Sequence, residues 1–186
     1  MKRIVLRYGL ISGAMLSAVM LISLRFKDAI GFDWGMIVGY ASMVLAFLLV
    51  YFGVRSYRDE VAGGAVRFGR ALAVGSLIAL VASCCYVVTW EVIYYTVAPD
   101  YMAKYQEHEL GKAQASGATT QEIAKKRAEM AKFAELYKNP LVNAAMTFVE
   151  PLPVAILAAL VSAGLLSRRR KVPLGQPRTV VVPGGA

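Results

Sequence analysis

The chain has 186 residues, of which 58% are hydrophobic and only 18% charged, with mean hydropathy +0.52. Soluble domains run about 45–50% apolar and about 25% charged, so a water-soluble globule is excluded. Net charge is +9, but the basic residues cluster at the ends of apolar runs, which points away from nucleic acid. Two cysteines and one histidine exclude a disulfide framework and a zinc site built on those ligands.

Four apolar runs organise the chain, at 4–24, 34–54, 71–98 and 141–167. Arg7, Glu91 and Glu150 are the charges inside them. A helix needs about 20 apolar residues to cross a hydrocarbon core about 30 Å thick, and a helix satisfies its own backbone there. Buried core helices of a soluble protein are usually shorter and show a polar face. The first run, after Lys2 and Arg3, also has the outline of a signal peptide. It is longer than a typical apolar region of that kind, is interrupted by Arg7, and lacks a small-residue cleavage pattern before Arg25. It reads as a retained span.

Basic residues set the orientation. Lys2, Arg3 and Arg7 lie at the N-terminus, Arg55, Arg58, Arg67 and Arg70 between runs two and three, and Arg168 to Lys171 with Arg178 in the tail. The segments alternating with these are balanced: Arg25 and Lys27 are offset by Asp28 and Asp33, and 99–140 is nearly neutral. Both termini are therefore expected in the cytoplasm. Trp34, Trp90, Tyr94, Tyr95 and Tyr101 fall near the outer boundary, where amphipathic rings prefer to sit.

Segment 99–140 reads as two helices interrupted at Ser116-Gly117-Ala118. Thr119 and Glu122 have capping-box spacing, and the second helix places Ile123, Met130, Phe133, Ala134 and Tyr137 on one side. Asn139 and Pro140 are set to cap and start the fourth span. The segment is expected to form an extracytoplasmic hairpin that packs on itself and on the membrane, or that meets a protein partner. The proline-bearing tail, 172–186, reads as disordered and cytoplasmic, after a single membrane domain over 1–171.

Gly64 to Ala71 has the frame of a phosphate loop, but Arg70 and Ala71 stand where Lys and Ser or Thr are required, and no strand precedes it. Nucleotide binding is rejected. Glu91 and Glu150 are the sharpest polar features, since an ionisable group inside a span is a functional hypothesis by default. Pro151 and Pro153 remove two donors and free the carbonyls of Thr147 and Val149. Asn143 and Thr147 share a helix face with Glu150, so a cation or proton site is one reading. Depth argues otherwise. Glu91 lies ~31 Å from Arg70 and Glu150 ~27 Å from Arg168 at the helical rise, which puts both near the outer boundary in an interfacial role. Gly9 with Gly13, Gly35 with Gly39, and Ala155, Ala159 and Ala163 allow close helix approach, chiefly within the bundle. Cys84 and Cys85 read as small apolar side chains, and His108 as solvated.

The stretches 37–43, 52–59 and 68–71 with Gly64, then Pro99-Asp100-Tyr101, Phe133 to Pro140 and Met146 to Glu150, resemble one bacterial membrane family. It is catalogued as a domain of unknown function. The resemblance covers about Val5 to Arg170. It implies a four-span protein of the bacterial cytoplasmic membrane with a helical segment between spans three and four. It implies no activity and no catalytic residue.

The expected fold is all-α, a four-helix transmembrane bundle with an extracytoplasmic helical hairpin between helices three and four. The expected role is non-enzymatic, accessory or structural, with no cofactor. Its expected partners are the bilayer, a protein at the hairpin and further copies of the chain, the last required under the transport alternative, where so few helices would need an oligomer. The alternative is a small transporter or ion-coupling protein using Glu91 and Glu150. Reporter fusions at the C-terminal tail and near Gly63 are expected to report cytoplasm, and a fusion near Gly117 the outside. A cytoplasmic signal at Gly117 would sink the layout.

Overall fold

The computed structural model describes residues 1–167, and of residues 27–30 the backbone alone. The basic run from Arg168 and the tail 172–186 lie outside the described residues. Seven helices make up the described chain: α1 (Lys2–Arg25), α2 (Lys27–Ser56), α3 (Phe68–Val92), α4 (Tyr101–Ala115), α5 (Thr120–Tyr137), α6 (Pro140–Val149) and α7 (Leu152–Leu166). One π-helical turn, Tyr57–Val61, ends α2, and another, Ile93–Val97, ends α3. The described residues form an all-helical fold, as expected.

Three segments are long and apolar enough to cross a membrane, Lys2–Arg25, Gly31–Val61 and Phe68–Val97. The pair α6 and α7, bent by 41°, makes a fourth if it is one span. The second helix begins earlier than the apolar run that predicts it. It continues almost directly from α1, and Gly31 (φ 70, ψ 169) turns the chain inside it, a conformation open to glycine and strained for other residues. Between α2 and α3 a short turn carries Gly63 and Gly64, both at positive φ, and Val66 pairs with Ser167 at the end of α7. The phosphate-loop frame is thus a turn followed by a helix.

Lipid tails are as apolar as leucine, so spans gain little from hydrophobicity by meeting one another and associate where small residues allow close contact. Helix α3 is central, packing against α1, α2, α6 and α7. A Cβ at Gly9 would lie 2.7 Å from Val81 Cβ, and one at Gly13 would lie 2.5 Å from Cys85 Cβ. On the other side a Cβ at Gly75 would lie 3.3 Å from Val50 Cγ1 and 3.4 Å from Ala159, and Ala155, Ala159 and Ala163 are all buried. Cys85 is therefore a packing residue. Gly35 and Gly39 differ: a Cβ at either would touch nothing within 4 Å, so this pair does not bring helices together within the bundle. Phe47, Leu16, Met43, Ile78, Val50, Val54 and Val74 fill the core, and the Ser12 hydroxyl donates to the Ala46 carbonyl at 3.0 Å.

A helical hairpin of α4 and α5 joins α3 to α6. Its turn uses Gly117 at φ 81. Thr119 caps α5 with the expected reciprocal box: the Glu122 N–H donates to Thr119 Oγ1 at 3.3 Å, and the Thr119 N–H donates to Glu122 Oε2 at 2.8 Å. Asn139 Oδ1 accepts from the Leu141 N–H at 3.0 Å to start α6, with Pro140 in its first turn. Phe133 is 41% exposed but stacks on Tyr137 at 5.5 Å, and Lys126, seven residues earlier on nearly the same face, reaches Glu109 at 2.9 Å. One expectation needs correction. His108 is not a solvated lone residue, since its Nε2 lies 3.6 Å from Asp33 Oδ2 and its ring 5.1 Å from that of Phe32.

Gly13→Ala should destabilise the bundle by roughly 1–3 kcal/mol through overpacking, whereas Gly39→Ala should stay within about 0.5 kcal/mol. Unfolding by detergent titration in micelles checks both. Thr119→Ala should loosen α5 by about 1 kcal/mol, read as faster hydrogen exchange over its first turns. The backbone hydrogen bond from Thr119, and then its hydroxyl, hold the Glu122 carboxyl below its ordinary value. A depressed folded-state pKa contributes stability that is present above the unfolded value and is lost as pH falls through the folded one. Protection of α5 should therefore fall on acidification through and below the ordinary glutamate range. A flat profile there would remove the box from the account.

Candidate functional site

At the hairpin end of the bundle the polar side chains are joined across elements. Trp90 on α3 donates its indole N–H to the Tyr137 hydroxyl of α5 at 2.9 Å. Tyr137 and Thr147 of α6 have their hydroxyl oxygens 3.2 Å apart, and Thr147 donates to Asn143 Oδ1 at 3.1 Å. An indole can only donate, so the chain runs from Trp90 through Tyr137 and Thr147 to Asn143. Asn143 is fully buried and Thr147 nearly so. Buried polar groups cost stability unless hydrogen-bonded, and here three helices supply partners to one another, except for the Asn143 amide nitrogen, which has none among the described residues.

One helical turn along α3 from Trp90, Tyr86 donates its phenolic O–H to Glu150 Oε2 at 2.8 Å. Glu150 stands at the break between α6 and α7, where the span bends. Pro151 and Pro153 lack the N–H groups that would continue the helical ladder, and the chain turns there. Asn143, Thr147 and Glu150 thus share one face, as their spacing predicts, and that face meets α3 and α5.

Glu91 is placed elsewhere. It follows Tyr86 by five residues, which is ~140° around the helix and ~7.5 Å along it. It does not line the cleft that Glu150 lines, and no hydrogen bond or ion pair joins the two carboxylates among the described residues. Its Oε1 is buried with no hydrogen-bond partner there. The two carboxylates of the apolar runs are separate features of the bundle.

Rings cluster around the joined groups. Trp90 and Tyr101 meet edge to face at 4.9 Å, Tyr94 and Tyr137 at 5.3 Å, and Phe32 approaches Tyr101 at 5.8 Å. Burial, and after it the charge of Glu150, push the Tyr101 phenol up to about 12. Burial likewise raises Tyr137, against the opposing effect of its hydrogen bonds to Thr147 and Trp90. Both phenols are protonated across the neutral range and act as hydrogen-bonding or apolar groups.

The hairpin is also tied to α2. Lys112 Nζ lies 2.7 Å from Asp33 Oδ1, and the hydrogen bond to Asp33 raises the Lys112 ammonium above its ordinary value. Tyr95 donates to the Lys138 carbonyl at 3.2 Å. Sequence reasoning singled out Glu150, Asn143 and Thr147 but missed Tyr86, the hydroxyl role of Tyr137, and the Asp33–Lys112 pair. A tyrosine inside an apolar run, four residues before a tryptophan, was the available signal for Tyr86. The ion pair joins residues 79 positions apart, and nothing local announces it.

The fold and site together define a multi-pass membrane protein, a helical bundle capped by a hairpin that is hydrogen-bonded to its spans. The chain belongs to the family described as Protein of unknown function (DUF4199), whose profile matches residues 7–168. No curated protein and no solved structure matches it.

Tyr137→Phe would leave the Trp90 indole N–H without its acceptor. A donor stranded in this way, here half-buried, costs up to about 1–3 kcal/mol. Unfolding in micelles should show a loss in that range, with Trp90 emission shifted; an unchanged midpoint would mean that the chain of hydroxyls contributes nothing to holding the hairpin.

Proposed function

We propose that this protein is a non-enzymatic component of the bacterial cytoplasmic membrane, accessory or structural in role, with both termini inside and the hairpin outside. The observation that carries the reading is the way the hairpin is held. Helix α4 is tied to α2 through Asp33 and Lys112, and α5 is tied to α3 and α6 through Tyr137. A hairpin fixed at several points is a cap and not a swinging arm. Its far side, around the exposed Ala128 and Ala131, is a firm platform for a protein partner or a second copy of the chain.

Two further arguments support the reading. The basic residues fall at the ends of spans, where they set orientation and meet anionic lipid, so the bilayer is the partner of the positive charge. The buried hydroxyls of Ser12, Tyr137 and Thr147 bond a carbonyl, an indole, an amide or each other. Among the described residues none of the three is set beside a basic group that would activate it as a nucleophile.

A second reading is favoured by one observation. The fourth span breaks at Glu150, and a discontinuous helix with a carboxylate at the break is a form used for ion or proton coupling. Transport would then rest on Glu150 without Glu91, and on an oligomer.

Photo-crosslinking in intact cells separates the two. A crosslinking residue at Ala128 should give one discrete adduct, to a partner or to a second copy, and the lipid-facing Leu165 should give none. If Ala128 gives no adduct and Glu150→Gln abolishes pH-driven flux in proteoliposomes while the protein stays folded, the accessory role fails and transport replaces it.

A further inference from the structure

The hairpin end of the bundle is not closed. A cleft of about 560 Å³ runs between α1, the first turns of α2, α3, the hairpin and Glu150, within the size range of sites for small organic ligands. It is open because α2 turns glycines toward it. Gly35 and Gly39 line the cleft, and a Cβ at either would meet no atom within 4 Å.

Its walls are aromatic and apolar, with one distinctive charge. Phe32, Tyr86, Trp90, Tyr101 and Tyr137 line it together with Glu150. The other charged side chains on the cleft have partners of opposite sign: Lys112 with Asp33 at 2.7 Å, Glu109 with Lys126 at 2.9 Å, and Lys104 with Asp100. Glu150 accepts a hydrogen bond from the neutral Tyr86 phenol and has no ion pair among the described residues. Aromatic rings present negative faces that attract cations, and they do so most strongly where water is excluded. A carboxylate without a countercharge beside such rings completes a site for an organic cation. From it the cleft continues along Leu16, Val19 and Met20 of α1, an apolar wall suited to an alkyl chain.

We propose that this cleft binds an amphiphile with an ammonium head, the head against Glu150 among the rings and the chain along α1. The inference rests on the cleft and not on the accessory role, and it holds whether or not the hairpin recruits a protein. The same chemistry has two sources, the headgroup of an amino lipid of the bilayer or a free cationic amphiphile.

The test uses the full chain in dodecyl maltoside micelles. Trp34→Phe leaves Trp90 as the sole tryptophan, since the chain has two. Decylpyridinium, a cationic amphiphile that quenches indole, is the probe. Quenching of Trp90 should saturate, and it should be relieved by decyltrimethylammonium but not by decyl sulfate. Glu150→Gln keeps an oxygen for Tyr86 and should weaken binding about tenfold or more, since loss of the charge removes at least the free energy of one such factor. Gly39→Leu extends into open space and should abolish binding by filling the cleft. Glu91→Gln, outside the cleft lining, should leave affinity unchanged. Relief of quenching by added phosphatidylethanolamine would make a lipid headgroup the source, and no relief would make it a free amphiphile. Equal competition by decyl sulfate would overturn the proposal, as would unchanged affinity in both Glu150→Gln and Gly39→Leu.

Discussion

The arrangement depends on how closely α3 can be approached. In hydrocarbon, helices do not gain by hiding leucine from lipid; they gain by fitting backbones together. Helix α3 meets α1 across Gly9 and Gly13, and α7 across Gly75 and Ala159. Side chains larger than hydrogen at Gly9 or Gly13 would push α1 off the Val81 and Cys85 side of α3. Because α1 is held there, the start of α2, which follows directly at Lys27, is held near the hairpin. The close contacts of one half of the bundle therefore decide where the open half lies.

That open half is where polarity is concentrated. The chain from Trp90 to Asn143 uses each hydroxyl as acceptor on one side and donor on the other. Such a chain satisfies groups that would otherwise be stranded at the membrane boundary, and it fixes α5 and α6 relative to α3. Glu150 lies beside this network and outside it, with Tyr86 as its own donor. A span that breaks at Glu150-Pro151 places the carboxylate at the cleft instead of in the bundle interior. The same bend lets α6 lean toward the hairpin while α7 packs against α2 and α3.

Electrostatics and packing meet in the hairpin. The Asp33–Lys112 pair is half exposed, and such pairs are individually weak. Its importance is positional, since it links the first turns of α2 to α4 across the mouth of the cleft. The ring cluster of Trp90, Tyr94, Tyr101 and Tyr137 closes the opposite side with area and shape. A hairpin built on its own capping box, and then docked by rings and hydroxyls, is a separate helical unit turned into a lid.

Much of this was legible residue by residue. The number and length of apolar runs, the helix break at Gly117, the Thr119–Glu122 box, the Asn139-Pro140 start and the bend at Glu150-Pro151 are all local. They follow from the hydrocarbon thickness and from which residues lack a donor, a Cβ or a competing side chain, and those properties belong to the residues themselves. What only the tertiary structure decided is pairing at a distance. Gly9-x-x-x-Gly13 and Gly35-x-x-x-Gly39 are the same pattern, yet the first packs against α3 and the second lines a cleft, because spacing on one helix says nothing about what stands opposite. Glu91 and Glu150, alike as apolar-run carboxylates, were parted for the same reason, by the rotation of α3. Periodicity is a property of one helix, whereas a site is made by the relative rotation of several, and that rotation is set by contacts summed over the whole bundle.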